Sequence, residues 1–297
     1  MMLTQGYTPA GELARDEPMR RRTSWRVGGP ADWFYRPASV DDLAATLAAI
    51  PPDMPVMFVG LGSNLLVRDG GVRGLVVTTA GLLDDLRRVD GNVVEAGAGV
   101  ACAVLARQCV RWQLGPAEFF AGIPGTLGGA LAMNAGAWGG ETWRFVVSVT
   151  TVDRRGGRHE RSADEYTVGY RSVEGPAGEW FLGVRLQFEY QPDASRERIN
   201  ALLAERKARQ PLGVPSCGSV FRNPPGDHAA RLIEACGLKG ARRGGAEVSP
   251  KHANFIVNRG DATAADIEAL IEHVAATVER EHGVTLVREV RIVGEPA

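Results

Sequence analysis

Residues 121–141 read Ala-Gly-Ile-Pro-Gly-Thr-Leu-Gly-Gly-Ala-Leu-Ala-Met-Asn-Ala-Gly-Ala-Trp-Gly-Gly-Glu, seven glycines in twenty-one positions. Each glycine adds chain entropy that folding must remove and offers no side chain to pack, so neither a core helix nor a core strand is expected here. The composition instead predicts a backbone that passes close to a ligand and turns its N–H groups toward it. Such concavities bind phosphate without needing a cationic side chain. No Gly-Lys-Ser/Thr follows, which sets aside a Walker A loop, and the Gly-x-Gly-x-x-Gly of a dinucleotide turn is absent from the stretch. The competing reading is a glycine-rich turn that packs a helix closely against a sheet.

A second glycine stretch, Val59-Gly60-Leu61-Gly62-Ser63-Asn64-Leu65, follows the apolar run at 55–59 and so sits at the end of a buried strand. It nearly matches the dinucleotide fingerprint, but position 65 is leucine and no helical pattern follows. Two such stretches, each after a strand, suggest a ligand with an extended pyrophosphate.

Six motifs then stand in order along the chain. They are Thr23-Ser-Trp-Arg-Val-Gly-Gly-Pro-Ala, the 59–67 stretch, Ala121-Gly-Ile-Pro-Gly-Thr-Leu-Gly-Gly, Tyr170-Arg171-Ser172, Pro215-Ser-Cys-Gly-Ser-Val-Phe-Arg-Asn-Pro and Glu289-Val-Arg-Ile-Val-Gly. With these residues the chain resembles the UDP-N-acetylenolpyruvoylglucosamine reductase (MurB) family, FAD enzymes of peptidoglycan precursor synthesis, over about residues 20–294. Only 48 positions separate Arg171 from Ser219, so the resemblance is to the shorter branch, which lacks the extra tyrosine-bearing loop of the longer one.

The bulk properties agree with a soluble enzyme. The 297 residues suffice for about two domains. A formal net charge of −1 gives no basic excess to point to nucleic acid. Cys102, Cys109, Cys217 and Cys236 form no Cys-x-x-Cys pair and no disulfide framework, which fits a reducing compartment. Residues 1–22 are polar, without the apolar segment of a signal peptide, and no run of eighteen apolar residues could span a membrane. A cytoplasmic protein is expected. The five histidines show no metal-ligand spacing, and none precedes His159 to attach a flavin covalently in the first half of the chain.

Along the chain, residues 1–22 read as an N-terminal extension. Residues 39–50 predict a helix with a capping-box start, Ser39-x-x-Asp42. Strands are expected at 55–60, 75–79, 92–96 and 145–152, and a helix at 102–113. Residues 180–190 alternate, with Trp180, Leu182, Val184, Leu186, Phe188 and Tyr190 on one face of a half-buried antiparallel strand. A boundary is expected at Gln191-Pro192-Asp193, then a charged helix to residue 209, a Pro/Gly-rich loop at 212–225 and a short helix at 228–236. An amphipathic helix at 263–282 opens with Thr263-x-x-Asp266 and carries Ile267, Leu270, Ile271, Val274 and Val278 on one stripe. Strands are expected at 254–258 and 286–293.

The reaction that the resemblance implies runs in two halves. NADPH reduces the flavin, and the reduced flavin delivers hydride to the enolpyruvyl group of the nucleotide sugar. Negative charge then develops next to a carboxylate, so the site needs a cation and an acid. Arg171 suits the first role, because arginine stays charged and grips a carboxylate in a bidentate fork; a surface ion pair is the alternative. Ser219 is the candidate proton donor, with Gly218 forming a tight turn beside it, and Cys217 is a rival as nucleophile. Period-two alternation places Glu289 and Arg291 on the same face of the last strand, so both can point into one site. The resemblance makes Glu289 a partner in stabilising or protonating the intermediate and puts Arg291 near flavin or substrate.

Flavin contacts implied by the resemblance are Gly60, Gly62, Ser63, Asn64, Leu65, Ala121, Gly122, Ile123, Pro124, Gly125, Gly128, Gly129 and Arg291. Tyr170, Arg209, Gln210 and Asn223 are implied contacts of the nucleotide sugar, and Arg222 is assigned no role. The expected fold is α+β. A FAD-binding domain at 23–190 has two α/β subdomains (about 23–82 and 83–190) of the PCMH/vanillyl-alcohol-oxidase type, and an α+β substrate-binding domain covers 196–297. FAD is expected to bind noncovalently, with NADPH as hydride donor, UDP-N-acetylglucosamine enolpyruvate as substrate and a monomer as the working form. A related FAD oxidase with another small substrate, or a non-catalytic nucleotide-sugar-binding protein, are the rival readings.

Overall fold

The computed structural model describes residues 7–297 and has an α+β architecture. Contacts group the chain into two compact units. The first comprises Phe34–Gly60, Leu75–Glu205 and the described residues before Arg15; the second comprises Arg15–Trp33, Leu61–Gly74 and Arg206–Ala297. Of the expected N-terminal extension, residues 1–6 lie outside the described residues. The remainder is not an appendage: Glu12–Pro18 is a strand, Met19–Arg21 a 3-10 turn, and Met19 is fully buried. Polar composition hid this strand because most of its side chains face outward.

In the first unit, helix α1 (Val40–Ala49) starts where Ser39 accepts a hydrogen bond from the Asp42 amide at 3.0 Å. The expected capping box is only half made. The Asp42 carboxylate turns inward instead, accepting from the Tyr35 hydroxyl at 2.5 Å and from the amides of Ala10, Gly11 and Ala38 at 2.8–2.9 Å. Burial alone would raise the Asp42 carboxyl, but these donors outweigh it and hold it below the usual aspartate value. The strand Val56–Val59 pairs in parallel with residues 75–78.

The larger sheet of this unit is antiparallel throughout, in the order Arg158–Ser162, Val146–Asp153, Glu179–Gln187, Val93–Gly97 and Leu86–Asp90. The alternation expected at 180–190 appears as buried Leu182, Val184, Leu186 and Phe188. The regular strand stops at Gln187, and Glu189–Tyr190 pairs separately with Leu114–Gly115, which leaves Tyr190 59% exposed. Helix α2 (Cys102–Arg111) buries Cys102, Leu105, Ala106 and Cys109 at the spacing of one helical stripe, so both cysteines are small apolar core residues. Burial pushes each of these thiols up to about 12.

Helix α3 (Leu127–Met133) corrects the expectation that the glycine stretch forms no helix. The physical reason is close approach. A Cβ on Gly128 would lie 3.1 Å from Ala98 Cβ, so the glycine lets the helix seat against the chain that follows the strand Val93–Gly97. Helix α4 (Arg196–Arg209) has Ile199 as its buried residue.

In the second unit, helix α5 (Ala229–Ala235) and helix α6 (Ala264–His282) share a core with the antiparallel strands Ala246–Val248 and Ile256–Asn258, and the exposed strand Arg242–Arg243 pairs with Ala246–Val248. The five apolar residues of the stripe on α6 are all buried. Its capping box forms between Thr263 and Asp266, and Gly283 ends it at φ +65°. Asp69 accepts from the amides of Ala264 and Ala265 at 3.0 Å each, satisfying two N–H groups that a helix start leaves unbonded. The strand expected at 286–293 shrinks to Arg291–Val293, paired in parallel with Leu65–Val67.

Candidate functional site

The strand Val56–Val59 delivers Gly60 to the glycine stretch. A Cβ on Gly60 would come within 2.5 Å of the Thr126 hydroxyl, so in the first unit the two glycine-rich segments touch through these residues. Ala121 and Gly122 end the 3-10 turn Glu118–Gly122, and Ile123, Pro124 and Gly125 lead to α3. Not every amide of this stretch serves a ligand. Those of Leu127 and Gly128 donate to Val100 O and Ala98 O at 2.8 Å, docking the helix start onto main chain. Around Gly129 the space is open, with the Thr126 hydroxyl 3.9 Å from where a Cβ would stand. Residues 119–133 contain no acidic side chain. A glycine-lined, uncharged main chain of this kind fits the diphosphate of FAD.

Tyr170 and Arg171 connect the short strands Thr167–Gly169 and Ser172–Glu174. Arg171 has φ +54°, a left-handed conformation that a non-glycine residue adopts only when its surroundings enforce it. Its guanidinium donates to the carbonyl oxygens of Asn134 at 3.2 Å and Gly136 at 2.8 Å. It also stands 5.1 Å from the centre of the Tyr170 ring, which is half-exposed. Two main-chain carbonyls thus grip the Arg171 guanidinium.

In the second unit, Gly62, Ser63, Asn64 and Leu65 meet the Ser219 and Glu289 segments. The Glu289 amide donates to Val220 O at 2.8 Å, and Phe221 bridges to Arg288, so the chain on either side of Ser219 and Glu289 runs side by side. The Asn64 side chain donates to Glu289 O at 3.1 Å, and Asn64 O accepts from the Arg291 amide at 3.0 Å. Glu289 lies outside the strand Arg291–Val293, so the strand-face reason for grouping Glu289 with Arg291 fails; Asn64 groups them instead. Gly218 has φ +76°, the tight turn expected beside Ser219. Ser219 is partly buried, and among the described residues its hydroxyl has no hydrogen-bond partner.

Cys217 is buried, its thiol reaching Leu65 O at 3.4 Å and Gly62 O at 3.7 Å. Burial pushes this thiol up to about 12, which removes it as a nucleophile at neutral pH.

The other implied contacts have local duties as well. Gln210 accepts from Arg206 Nε at 2.8 Å, and Asn223 Oδ1 accepts from the Ala229 amide at 3.1 Å where α5 begins. Arg209 is exposed in the last turn of α4. Two residues that sequence reading passed over are Asn134 and Asn254. Asn254 is buried; its Oδ1 and Nδ2 bind both main-chain groups of Phe221 at 3.0 and 2.8 Å, and its carbonyl accepts from Val220. The available sign for Asn134 was an asparagine closing a helical run, since asparagine tolerates the left-handed conformation that ends helices. Among the described residues no group of side chains is arranged to hold a metal ion, and no helix is long and apolar enough to cross a membrane.

Residues 31–162 match the family model described as FAD binding domain, and residues 210–293 match that of the UDP-N-acetylenolpyruvoylglucosamine reductase C-terminal domain. A UDP-N-acetylenolpyruvoylglucosamine reductase of Alkalilimnicola ehrlichii is 62% identical over 99% of both chains. One from Methylococcus capsulatus is 58% identical over 96% of this chain and 94% of its own. The crystal structure of UDP-N-acetylenolpyruvylglucosamine reductase (MurB) from Thermus caldophilus superposes with a TM-score of 0.79 at 33% identity, covering 96% of this chain and 99% of that one. With identity this high over nearly its whole length, the chain belongs to the UDP-N-acetylenolpyruvoylglucosamine reductase family.

Proposed function

We propose that this protein uses NADPH to reduce UDP-N-acetylglucosamine enolpyruvate to UDP-N-acetylmuramate in peptidoglycan precursor synthesis. The observation that carries the reading is the chain-long identity to relatives named for this reductase, with a FAD binding domain model matching residues 31–162. FAD, bound noncovalently, supplies the two-electron carrier between NADPH and the nucleotide sugar. Gly60, Gly62, Ser63, Asn64 and Leu65, with Ala121, Gly122, Ile123, Pro124, Gly125, Gly128 and Gly129, hold it mainly through main-chain groups, and Arg291 lies near it.

In the second half-reaction hydride adds to the terminal vinyl carbon, and an electron pair develops on the carbon beside the carboxylate. Arg171 holds that carboxylate and the charge that spreads onto it. Ser219 passes its hydroxyl proton to the carbon, completing the saturated ether, and Glu289 assists in stabilising or protonating the intermediate. An unpartnered Ser219 hydroxyl is free to rotate toward the substrate, which supports the donor role. Tyr170, Arg209, Gln210 and Asn223 contact the nucleotide sugar. The Gln210 and Asn223 side-chain oxygens each accept one internal hydrogen bond, which leaves the amide N–H groups and a second oxygen lone pair for the sugar.

The same proposal assigns 23–190 to flavin binding and 196–297 to the substrate. It also takes the protein as a cytoplasmic monomer whose product serves cell wall, cell shape and division. The test is anaerobic. Purified protein should be yellow, NADPH should bleach it, and the enolpyruvyl sugar should restore the colour and yield UDP-N-acetylmuramate by mass. Reoxidation by a simple alcohol-derived carbonyl but not by the enolpyruvyl sugar would favour another FAD oxidoreductase. A colourless protein that refuses FAD would end the proposal.

A further inference from the structure

Asn134 is buried, stands at φ +46° as the left-handed residue closing α3, and uses three separate groups to tie three segments together. Its side-chain amide donates to Gly169 O at 3.1 Å, at the base of the hairpin that carries Arg171, and to Glu141 Oε2 at 3.3 Å. Its Oδ1 accepts from the Trp143 amide at 3.1 Å. Its main-chain carbonyl accepts from Arg171 Nη1 at 3.2 Å. The second carbonyl under the guanidinium, that of Gly136, is fixed by the same fold-back. Gly136 pairs with Glu141 in a short hairpin, and a Cβ on Gly136 would collide with Gly140 O at 2.1 Å. One asparagine therefore fixes both ends of the arrangement: the base of the strand leading to Arg171, and one of the oxygens its guanidinium rests on.

We infer that Asn134 is the positioning residue for Arg171. It locks the Thr167–Glu174 hairpin to the end of α3, so that the guanidinium meets the substrate carboxylate in one fixed orientation. The inference rests on the role proposed above for Arg171. A guanidinium on an untied two-residue turn would sample many directions, and a bidentate grip needs one. Asparagine is suited to the post because it accepts the left-handed backbone and also offers two donors and an acceptor in the core.

Asn134→Gly separates the two properties, since glycine keeps the left-handed backbone without strain while removing the side chain. The variant should keep flavin reduction by NADPH within about twofold of wild type. Its reoxidation by the enolpyruvyl sugar should slow by about tenfold or more, mostly through a higher KM. A second readout needs no substrate: trypsin should cut the Arg171–Ser172 bond at least about tenfold faster in the variant, by mass spectrometry, with other cuts unchanged. Asn134→Asp, which keeps the acceptor for Trp143 but loses the donors to Gly169 and Glu141, should free the same bond. Unchanged cleavage at Arg171 in both variants would overturn the inference. Faster cleavage with a wild-type enzyme that does not turn over the sugar would uphold the tie and fail the proposed reaction instead.

Discussion

The segments around Arg171 and around Ser219 are built on opposite plans. Arg171 is gripped by its side chain: two carbonyl oxygens take its guanidinium, and a buried asparagine fixes the turn that carries it. Ser219 is gripped only by its main chain. The next residue, Val220, binds the Glu289 amide and Asn254 O, Gly218 turns the chain, and the hydroxyl is left without a partner among the described residues. The difference suits the proposed division of labour. A cation that must hold a carboxylate through the reaction gains from one fixed direction, whereas a hydroxyl that must give up a proton cannot have that proton committed elsewhere.

The largest expected effect tests the free hydroxyl. Ser219→Ala should leave anaerobic flavin reduction by NADPH near wild type and cut the rate of reoxidation by the enolpyruvyl sugar by about 10²–10⁴, the usual worth of a positioned acid. Stopped-flow traces at the flavin absorbance separate the two steps, and simultaneous failure of both would remove Ser219 from the acid's role. Next comes Arg171→Lys, which keeps the charge but loses the planar fork. A loss of about 1.5–3 kcal/mol, or roughly 10–150-fold in kcat/KM for the sugar, is expected. If lysine works as well as arginine, direction is not what the carbonyl grip provides.

Asn254→Ala probes the main-chain plan. It leaves the buried N–H and C=O of Phe221 without their side-chain partners, and thermal unfolding should show a loss of about 2–4 kcal/mol, with an accompanying fall in sugar turnover. Retained stability would mean that the pairing with the Glu289 segment suffices by itself. Asp42 offers a control that belongs to neither plan. Its folded carboxyl sits below its unfolded value of about 3.9, so its stabilisation is complete above that pH and is lost as pH falls through the lower folded value. Asp42→Asn should cost about 1–3 kcal/mol at pH 7 and flatten the acid limb of a stability–pH curve measured by denaturant unfolding. The smallest effect is expected at Cys217: Cys217→Ala should cost about 1 kcal/mol and leave turnover intact, and a thiol reagent at pH 8 should not label Cys217 in the folded protein.

The strongly periodic elements were legible. The stripe on α6 and its Thr263–Asp266 start, the cysteine spacing on α2 and the alternation before Phe188 all follow from side-chain chemistry repeating at the period of one element. The glycine stretch was read only in part. It was read first as main chain close to a ligand, while a helix packed closely against other chain was only the competing reading, because the partner that makes Gly128 useful, Ala98, is thirty residues away in the chain.

Sequence by itself determined the family: six ordered motifs, among them those that contain Arg171, Ser219, Glu289 and the glycine-rich main chain. Tertiary structure alone decided what holds them. Residues 15–33 and 61–74 join the C-terminal stretch in one unit, Asn64 rather than a strand face couples Glu289 to Arg291, and Asn134 closes the base of the hairpin that bears Arg171. Those ties are single hydrogen bonds between residues far apart in the chain. They leave no periodic mark on the sequence, because one buried amide does the work at one position and its neighbours need not repeat it.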